Sequence, residues 1–284
     1  APGEVKDRLA TIPSDPAARA DQDLSMFYHP DTEAEIVSLR TYLLSREQDG
    51  TADHLDRWIR MVATNRLTGH SPGFFSVYTL PPNQAVTPDR QIRINKQRSQ
   101  TPPYRDTKER ILKKTRILTK DLTAEEKNRL RAAGESVVFL TGDARFTPSI
   151  PDETISLTVT SPPFLDIVQY STDNWLRCWF NGIPAADMDE KITCLSRVRD
   201  WADVMKEVFL ELFRITTPGG WVAFEVGEVK NGTVHLDEII VPVGIAAGFT
   251  CPGIVINRQE FTKTANIWGV SNMQGGTNTN RIVL

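Results

Sequence analysis

The chain has 284 residues, 40% of them hydrophobic and 24% charged, which excludes a fibrous or wholly disordered protein and leaves one large or two small globular domains. A net charge of −3 excludes a uniformly basic chain, although a local basic segment can sit inside that average. The three cysteines, Cys178, Cys194 and Cys251, are far apart and odd in number, which argues against a zinc ribbon or disulfide scaffold and fits a reducing compartment. No apolar run approaches the roughly 20 residues of a membrane helix, and the amino terminus has no signal-peptide core, so a cytoplasmic protein without a membrane partner is expected.

In chain order, Thr32 and Glu35 at the head of TEAEIVSLRTYLL have capping-box spacing, and Ile36, Leu39 and Leu43 fall on one stripe. An amphipathic helix is therefore expected from Thr32. A second helix is expected from Asp53 as N-cap, with Leu55, Trp58, Ile59 and Val62 apolar and Gly69 as its stop. The segment HSPGFFSVYTLPPNQAV, broken by proline and glycine, reads as a structured loop anchored by Phe74, Phe75 and Tyr78. Between Asp89 and Arg131 basic residues outnumber acids, with Arg93, Lys96, Arg98, Lys113 and Lys114 among them. This run is either a solvated helix face or a surface that contacts phosphates.

From Ser136 the pattern changes. SVVFLTGDAR is expected as a strand, IPDET as a turn, and ISLTVTSPPF as a second strand running into a loop. A helix from about Ser196 to Ile215 has Trp201, Met205, Val208, Phe209 and Leu212 apolar at helical spacing. Thr217-Pro-Gly-Gly ends it, and the strands WVAFEVGEV, GIVINRQE and RIVL follow. Strands alternating with helices predict a parallel-rich α/β sheet covered on both faces. The division is a helical and loop region over residues 1–134 and an α/β part over 135–284. Ligands of such sheets bind at strand carboxyl ends, where Gly142-Asp143 and Ser161-Pro162-Pro163-Phe164 fall, so the two are expected to share a cleft.

Ser-Pro-Pro-Phe is stiff by construction, because a residue before proline leaves the α region and proline fixes its own φ. Neither proline has an N–H, so the turn offers acceptors without competing donors. Ser161 adds a hydroxyl and Phe164 a flat face. This set suits a planar ring with an exocyclic amine, whose lone pair is delocalised and poorly nucleophilic. Acceptors for both amine hydrogens, Ser161 Oγ and the Pro162 carbonyl, favour a tetrahedral nitrogen and aim its lone pair at an electrophile. A base in a duplex reaches such a pocket only by flipping out.

TSPPF after a strand resembles the catalytic motif of the amino-methylating DNA methyltransferases. In that family SPP[FY] is associated mainly with N4-cytosine and [DN]PP[FY] with N6-adenine. FLTGDAR, residues 139–145, is similar to the motif whose aspartate, here Asp143 after Gly142, approaches the cofactor's adenine. TPGGWVAFEVGEV resembles the strand behind the catalytic loop, and FTKTANIWGVSNMQGGTNTNRIVL resembles the carboxyl-terminal hairpin of one bacterial and phage branch. FYHPDTEAEIVSLRTYLL and NRLTGHSPGFFSVYTLPPNQ resemble the same branch. The resemblance implies a Rossmann-like sheet, S-adenosylmethionine as cofactor, double-stranded DNA as partner, and a restriction-modification or phage setting in the cytoplasm of a bacterium or phage-infected cell. It implies that Ser161, Pro162 and Pro163 with Phe164 form the catalytic turn, that Gly142, Asp143 and Ser161 touch the cofactor, and that residues 135–284 are the catalytic part, while residues 1–134, with the basic segment and the aromatic loop near Phe74, are the candidate DNA-contact and target-recognition part. Adenine N6 methylation and a non-catalytic DNA-binding subunit are the alternatives.

One departure stands out: the family's FxGxG-type loop is missing, and the chain has no Gly-x-Gly at all. Longer relatives carry that loop upstream of the counterpart of Ala1. The expectation is therefore a partial sheet whose first strands come from a second polypeptide, were removed from a shortened chain, or were lost from a degenerate subunit.

Other candidates are weaker. Asp166, Asp173 and Asn174 either border the target pocket or cap the next helix. Tyr170, Trp175 and Trp179 are candidate base-stacking residues, although the spacing of the two tryptophans suits one buried helix face. Lys263, Asn266 and Asn272 are candidates for DNA contact or the cofactor's surroundings. The four histidines show no ligand spacing, so no metal is expected. Cytosine C5 chemistry needs a nucleophilic cysteine, usually just after a proline, and no Pro-Cys pair occurs.

Overall fold

The computed structural model of the chain describes residues 2–79, 86–163, 170–193, 195–229, 234–261 and 276–284. Two compact units are resolved by their internal contacts, residues 1–138 with 170–188 and residues 139–169 with 189–284. Among the described residues no helix is long and apolar enough to cross a membrane.

The first unit is helical. It holds α1 (Pro2–Thr11), α2 (Pro30–Gln48), α3 (His54–Thr64), α4 (Pro88–Arg98), α5 (Thr107–Thr119), α6 (Ala124–Ser136) and α7 (Tyr170–Asn181). Ile36, Leu39 and Leu43 of α2 and Ile59 and Val62 of α3 are buried, as their spacing requires, in one core with Leu176 and Phe180 of α7. The start of α2 differs from the sequence expectation. His29 is its N-cap and Pro30 opens it, which suits a residue with fixed φ and no N–H to leave unpaired. Thr32 and Glu35 serve tertiary contacts instead of a cap. The Thr32 hydroxyl donates to the Arg105 carbonyl and accepts from the Arg105 amide, and Glu35 accepts from the Thr107 amide and the Tyr104 hydroxyl.

Helix α3 begins where the sequence placed it. Asp53 accepts from the amides of Leu55 and Asp56, while the Asp56 carboxylate accepts from the Asp53 amide. It ends at Thr64, short of Gly69. The Asp56 carboxylate is buried between the guanidinium groups of Arg8 and Arg46, so α1, α2 and α3 are joined through one compensated charge.

The second unit holds β1 (Ile155–Thr160), α9 (Val198–Ile215), β2 (Thr216–Val229), β3 (Val234–His235), α10 (Asp237–Ala247), β4 (Ile254–Phe261) and β5 (Gly276–Val283); the short helix α8 (Ala186–Lys191) lies at the boundary of the two units. Strand order is β1-β2-β5-β4, with β3 paired to β2 off this path. Among the described strands only β1 and β2 run parallel; β5 is antiparallel to both β2 and β4. The parallel-rich expectation is therefore corrected to a mixed sheet. Antiparallel neighbours need no crossover helix, and nothing in the spacing of GIVINRQE and RIVL reveals that the last strand inserts beside β2.

The covering of the sheet is corrected as well. Helices α9 and α10 bury one face through Val222, Phe224 and Val226. On the other face Leu157 is 58% and Val159 74% exposed, and β1 is an edge. The strand expected over SVVFLTGDAR does not form: α6 runs to Ser136 and residues 137–141 are irregular, with Val138 73% and Phe139 89% exposed. A β-branched run becomes a strand only where a neighbour satisfies its backbone groups, and no described strand pairs with this one.

Candidate active site

Strand β1 carries Ser161 to the carboxyl end of the parallel pair. Its last partnered residue, Thr160, lies beside Phe224 of β2, and Ser161, Pro162 and Pro163 leave the strand from there. Ser161 is exposed and both prolines are half-buried. Neither the Ser161 hydroxyl nor the Pro162 carbonyl is hydrogen-bonded to a described residue. The Pro163 carbonyl is different: it accepts a 3.2 Å bond from Trp201 Nε1. Trp201 is fully buried in the first turn of α9, so the indole pins the far end of a turn whose near end is already stiff. Phe164 and Asp166 lie outside the described residues.

Gly142 and Asp143 sit in an exposed turn that the Phe146 amide closes by donating to the Asp143 carbonyl at 3.0 Å. The Asp143 carboxylate accepts from the Arg145 amide at 2.9 Å and from Arg145 Nη2 at 2.5 Å. That guanidinium holds the carboxyl below the usual carboxylate range. Arg145 in turn reaches Glu207 of α9 at 3.5 Å.

Helix α9 is thus the common support of both motifs. Trp201 and Glu207 are less than two turns apart, about 9 Å along the axis. Below Glu207, Glu211 accepts from the Thr147 amide and hydroxyl at 2.6 Å each and pairs with Arg214 at 2.6 Å. Arg214 also donates to the carbonyls of Thr147 and Ile150 and pairs with Asp152. Glu207, Glu211 and Arg214 form an i, i+4, i+7 stripe that ties residues 143–152 to the helix just before β1 starts. Sequence reading missed Trp201, Arg145, Glu211 and Arg214 as positioning groups. The available signal was this charged stripe at i, i+4, i+7 on an amphipathic helix.

The pairing makes Glu211 a pH-sensitive brace. Arg214 and the Thr147 donors lower its carboxyl from 4.5 to about 2. A depressed folded-state pKa gives stability that is present above the unfolded value and is lost as pH falls through the folded one. Unfolding midpoints of the wild type are expected to drop between pH 4.5 and about 2. Glu211→Gln is expected to cost about 1–2 kcal/mol at neutral pH and to flatten that acid limb, read by denaturant titration across pH.

Comparison with known proteins adds little. No family model matches the chain and no curated protein matches it. Among solved structures, one from Thermus thermophilus, described provisionally as a DNA modification methylase, aligns at 23% identity with a TM-score of 0.29. The alignment spans 50% of this chain and 49% of that one, so it covers about half of the other protein's length. A superposition of that quality does not establish a common fold.

The remaining predicted residues fall in three groups. Arg93, Lys96 and Arg98 lie on α4 and are all exposed; Lys113 is exposed and Lys114 half-buried on α5. Tyr170, Asp173, Asn174, Trp175 and Trp179 are all on α7 of the helical unit, whereas Ser161 belongs to the second unit. Trp175 donates to the Val86 carbonyl and Trp179 to Asp21, and both are half-buried against the helical core, so the face their spacing suggested is only partly covered. Asn174 bonds within its own helix to Tyr170 and Arg177. Lys263, Asn266 and Asn272 lie outside the described residues.

A cavity of about 210 Å³ lies on the helix-covered face near Gly219, Trp221, Phe249 and Cys251. No charged side chain lines it, and it sits toward the start of β2, away from Ser161.

Proposed function

We propose that the chain carries the target-base half of a DNA amino-methyltransferase, acting on the exocyclic N4 amine of a flipped cytosine in a restriction-modification or phage system. The observation that supports it is the turn at Ser161: two acceptors that bond no described residue, on a proline-fixed backbone whose third carbonyl is held by Trp201. Ser161 Oγ and the Pro162 carbonyl accept the two amine hydrogens. The nitrogen becomes more tetrahedral and its lone pair turns toward the electrophile; a bound donor would supply a methyl group on a sulfonium sulfur, whose S–C bond would break to leave a neutral thioether as the C–N bond forms, and one N–H proton leaves to solvent. No covalent bond to the protein is made, which accords with the absence of a Pro-Cys pair.

The methyl donor implied by the resemblance is S-adenosylmethionine. The described residues do not make a site for it. Asp143 spends its carboxylate on Arg145, the run before it forms no strand, and the sequence has no Gly-x-Gly to approach the donor's methionine end. The donor half is proposed to reside on a further parallel strand beside β1, whose edge pairs with no described strand and whose Leu157 and Val159 are exposed. The same finding favours a second reading, a DNA-binding subunit without catalysis. Calorimetric titration with S-adenosylmethionine, on the protein alone and with any co-encoded partner, separates the two. Saturable binding is expected in at least one case; none in either leaves only the subunit reading.

A further inference from the structure

We infer that the loop from Gly69 to Tyr78 and the arginines that grip it form a built cradle for the phosphodiester backbone of DNA. This deepens the methyltransferase reading and rests on it for the choice of DNA. Four arginines from separate elements converge on this loop. The guanidinium of Arg66 lies 4.1 Å over the Phe74 ring, and that of Arg98 lies 3.7 Å over the Tyr78 ring. Arg110 Nε donates to the Pro72 carbonyl at 3.0 Å. Arg105 donates to the carbonyls of Ser71, Phe74 and Ser76. Gly69 lets the loop close, since a Cβ there would stand 2.4 Å from the Phe74 ring.

What marks the cluster is its convergence on one loop without a counter-charge. None of the four forms an ion pair with a described carboxylate, which is also true of Arg40, Arg57 and Arg177 elsewhere, but only these four grip the same short segment. Asp106, the nearest acid in sequence to Arg105, uses its side chain to cap α5 by accepting from the Glu109 amide. Burial lowers the pKa of Arg66 and Arg105, so partly desolvated positive charge is held here without neutralisation. Such an arrangement is costly unless an anion completes it.

The roles divide by exposure. Arg105 and the rings of Phe74 and Phe75 are buried and shape the loop. Arg66, Arg98 and Arg110 are not buried, so these three keep donors toward solvent. The ring contacts restrain Arg66 and Arg98 and reduce the entropy lost on binding. From Pro72 to Tyr78 the loop spans at most about 20 Å, and a duplex presents a negative charge every ~1.7 Å of axis, so the three face several phosphates at once.

The test is the salt dependence of binding to a fluorescent DNA duplex, measured by anisotropy for the full chain. Changing Arg66, Arg98 and Arg110 to glutamine, singly and together, is expected to reduce the slope of log K against log salt by about 0.9 for each phosphate no longer neutralised. The loss is expected to be the same for unrelated duplexes. The lysine versions keep charge without the planar stack and are expected to recover most of the slope; a purely structural arginine would not be rescued. Arg105→Gln serves as the contrast, lowering the thermal midpoint. An unchanged slope in the folded triple variant, or salt-independent binding by the wild type, overturns the cradle. Methyl transfer is scored separately: a reduced slope with no methylated base retains the cradle and removes the enzymatic reading, and the converse retains the enzyme and removes the cradle.

Discussion

Ser161→Ala is expected to lower methyl transfer by about 100- to 1,000-fold while leaving the unfolding midpoint unchanged. Loss of one preorganised polar group at the reacting centre has that scale in enzymes generally. The side chain is exposed at the end of β1 and its hydroxyl bonds no described residue, so the fold does not depend on it. The effect falls on kcat, because an acceptor that helps the amine become tetrahedral matters more in the transition state than in the bound ground state. Ser161→Asn, which keeps an acceptor, is expected to retain more activity than the alanine variant. Equal loss in both would remove the acceptor role from this position.

Trp201→Ala is expected to destabilise the second unit by about 3–5 kcal/mol, the scale for emptying a buried aromatic site. Trp201 is 1% exposed and belongs to the core that also holds Met205, Phe209, Leu212 and Phe224. Trp201→Phe separates packing from positioning. It keeps a ring in the core but removes the N–H that holds the Pro163 carbonyl, at a cost of about 1 kcal/mol in stability. Its activity is expected to fall by more than its stability, with kcat reduced and KM little changed. If Trp201→Phe loses stability and activity in proportion, the indole is only a core residue and the turn is held by its prolines alone.

The stiff turn was legible because proline acts on its own backbone and needs no partner to do so. Asp53 as a cap was legible for the same reason: its bonds run to amides two and three residues on. Thr32 and Glu35 have a similar local pattern, yet their bonds go to Tyr104, Arg105 and Thr107, which no local rule could show. Residues 137–141 have strand-forming side chains and no described strand beside them; a strand is a property of two segments, and sequence displays one. The position of β5 between β2 and β4 is hidden for the same reason. Trp201 read as one apolar position among several on α9, since periodicity registers its ring and not its N–H.

The basic segment shows the opposite limit. Charge counting pointed to the run between Asp89 and Arg131 as a whole, and the fold selects within it. Arg105 is spent on carbonyls in the interior, whereas Arg98 and Arg110 are joined by Arg66, which lies outside the run. The distinction depends on whether each guanidinium is buried against carbonyls or reaches the surface, which composition averages away.

The most direct measurement is nucleoside mass spectrometry of DNA from cells that express the intact gene with its natural neighbours, beside cells carrying Ser161→Ala. The proposed chemistry predicts N4-methylcytosine in the first and its loss in the second. N6-methyladenine as the sole new base would contradict the cytosine assignment, and no new methylated base in either would contradict the amino-methyltransferase reading itself.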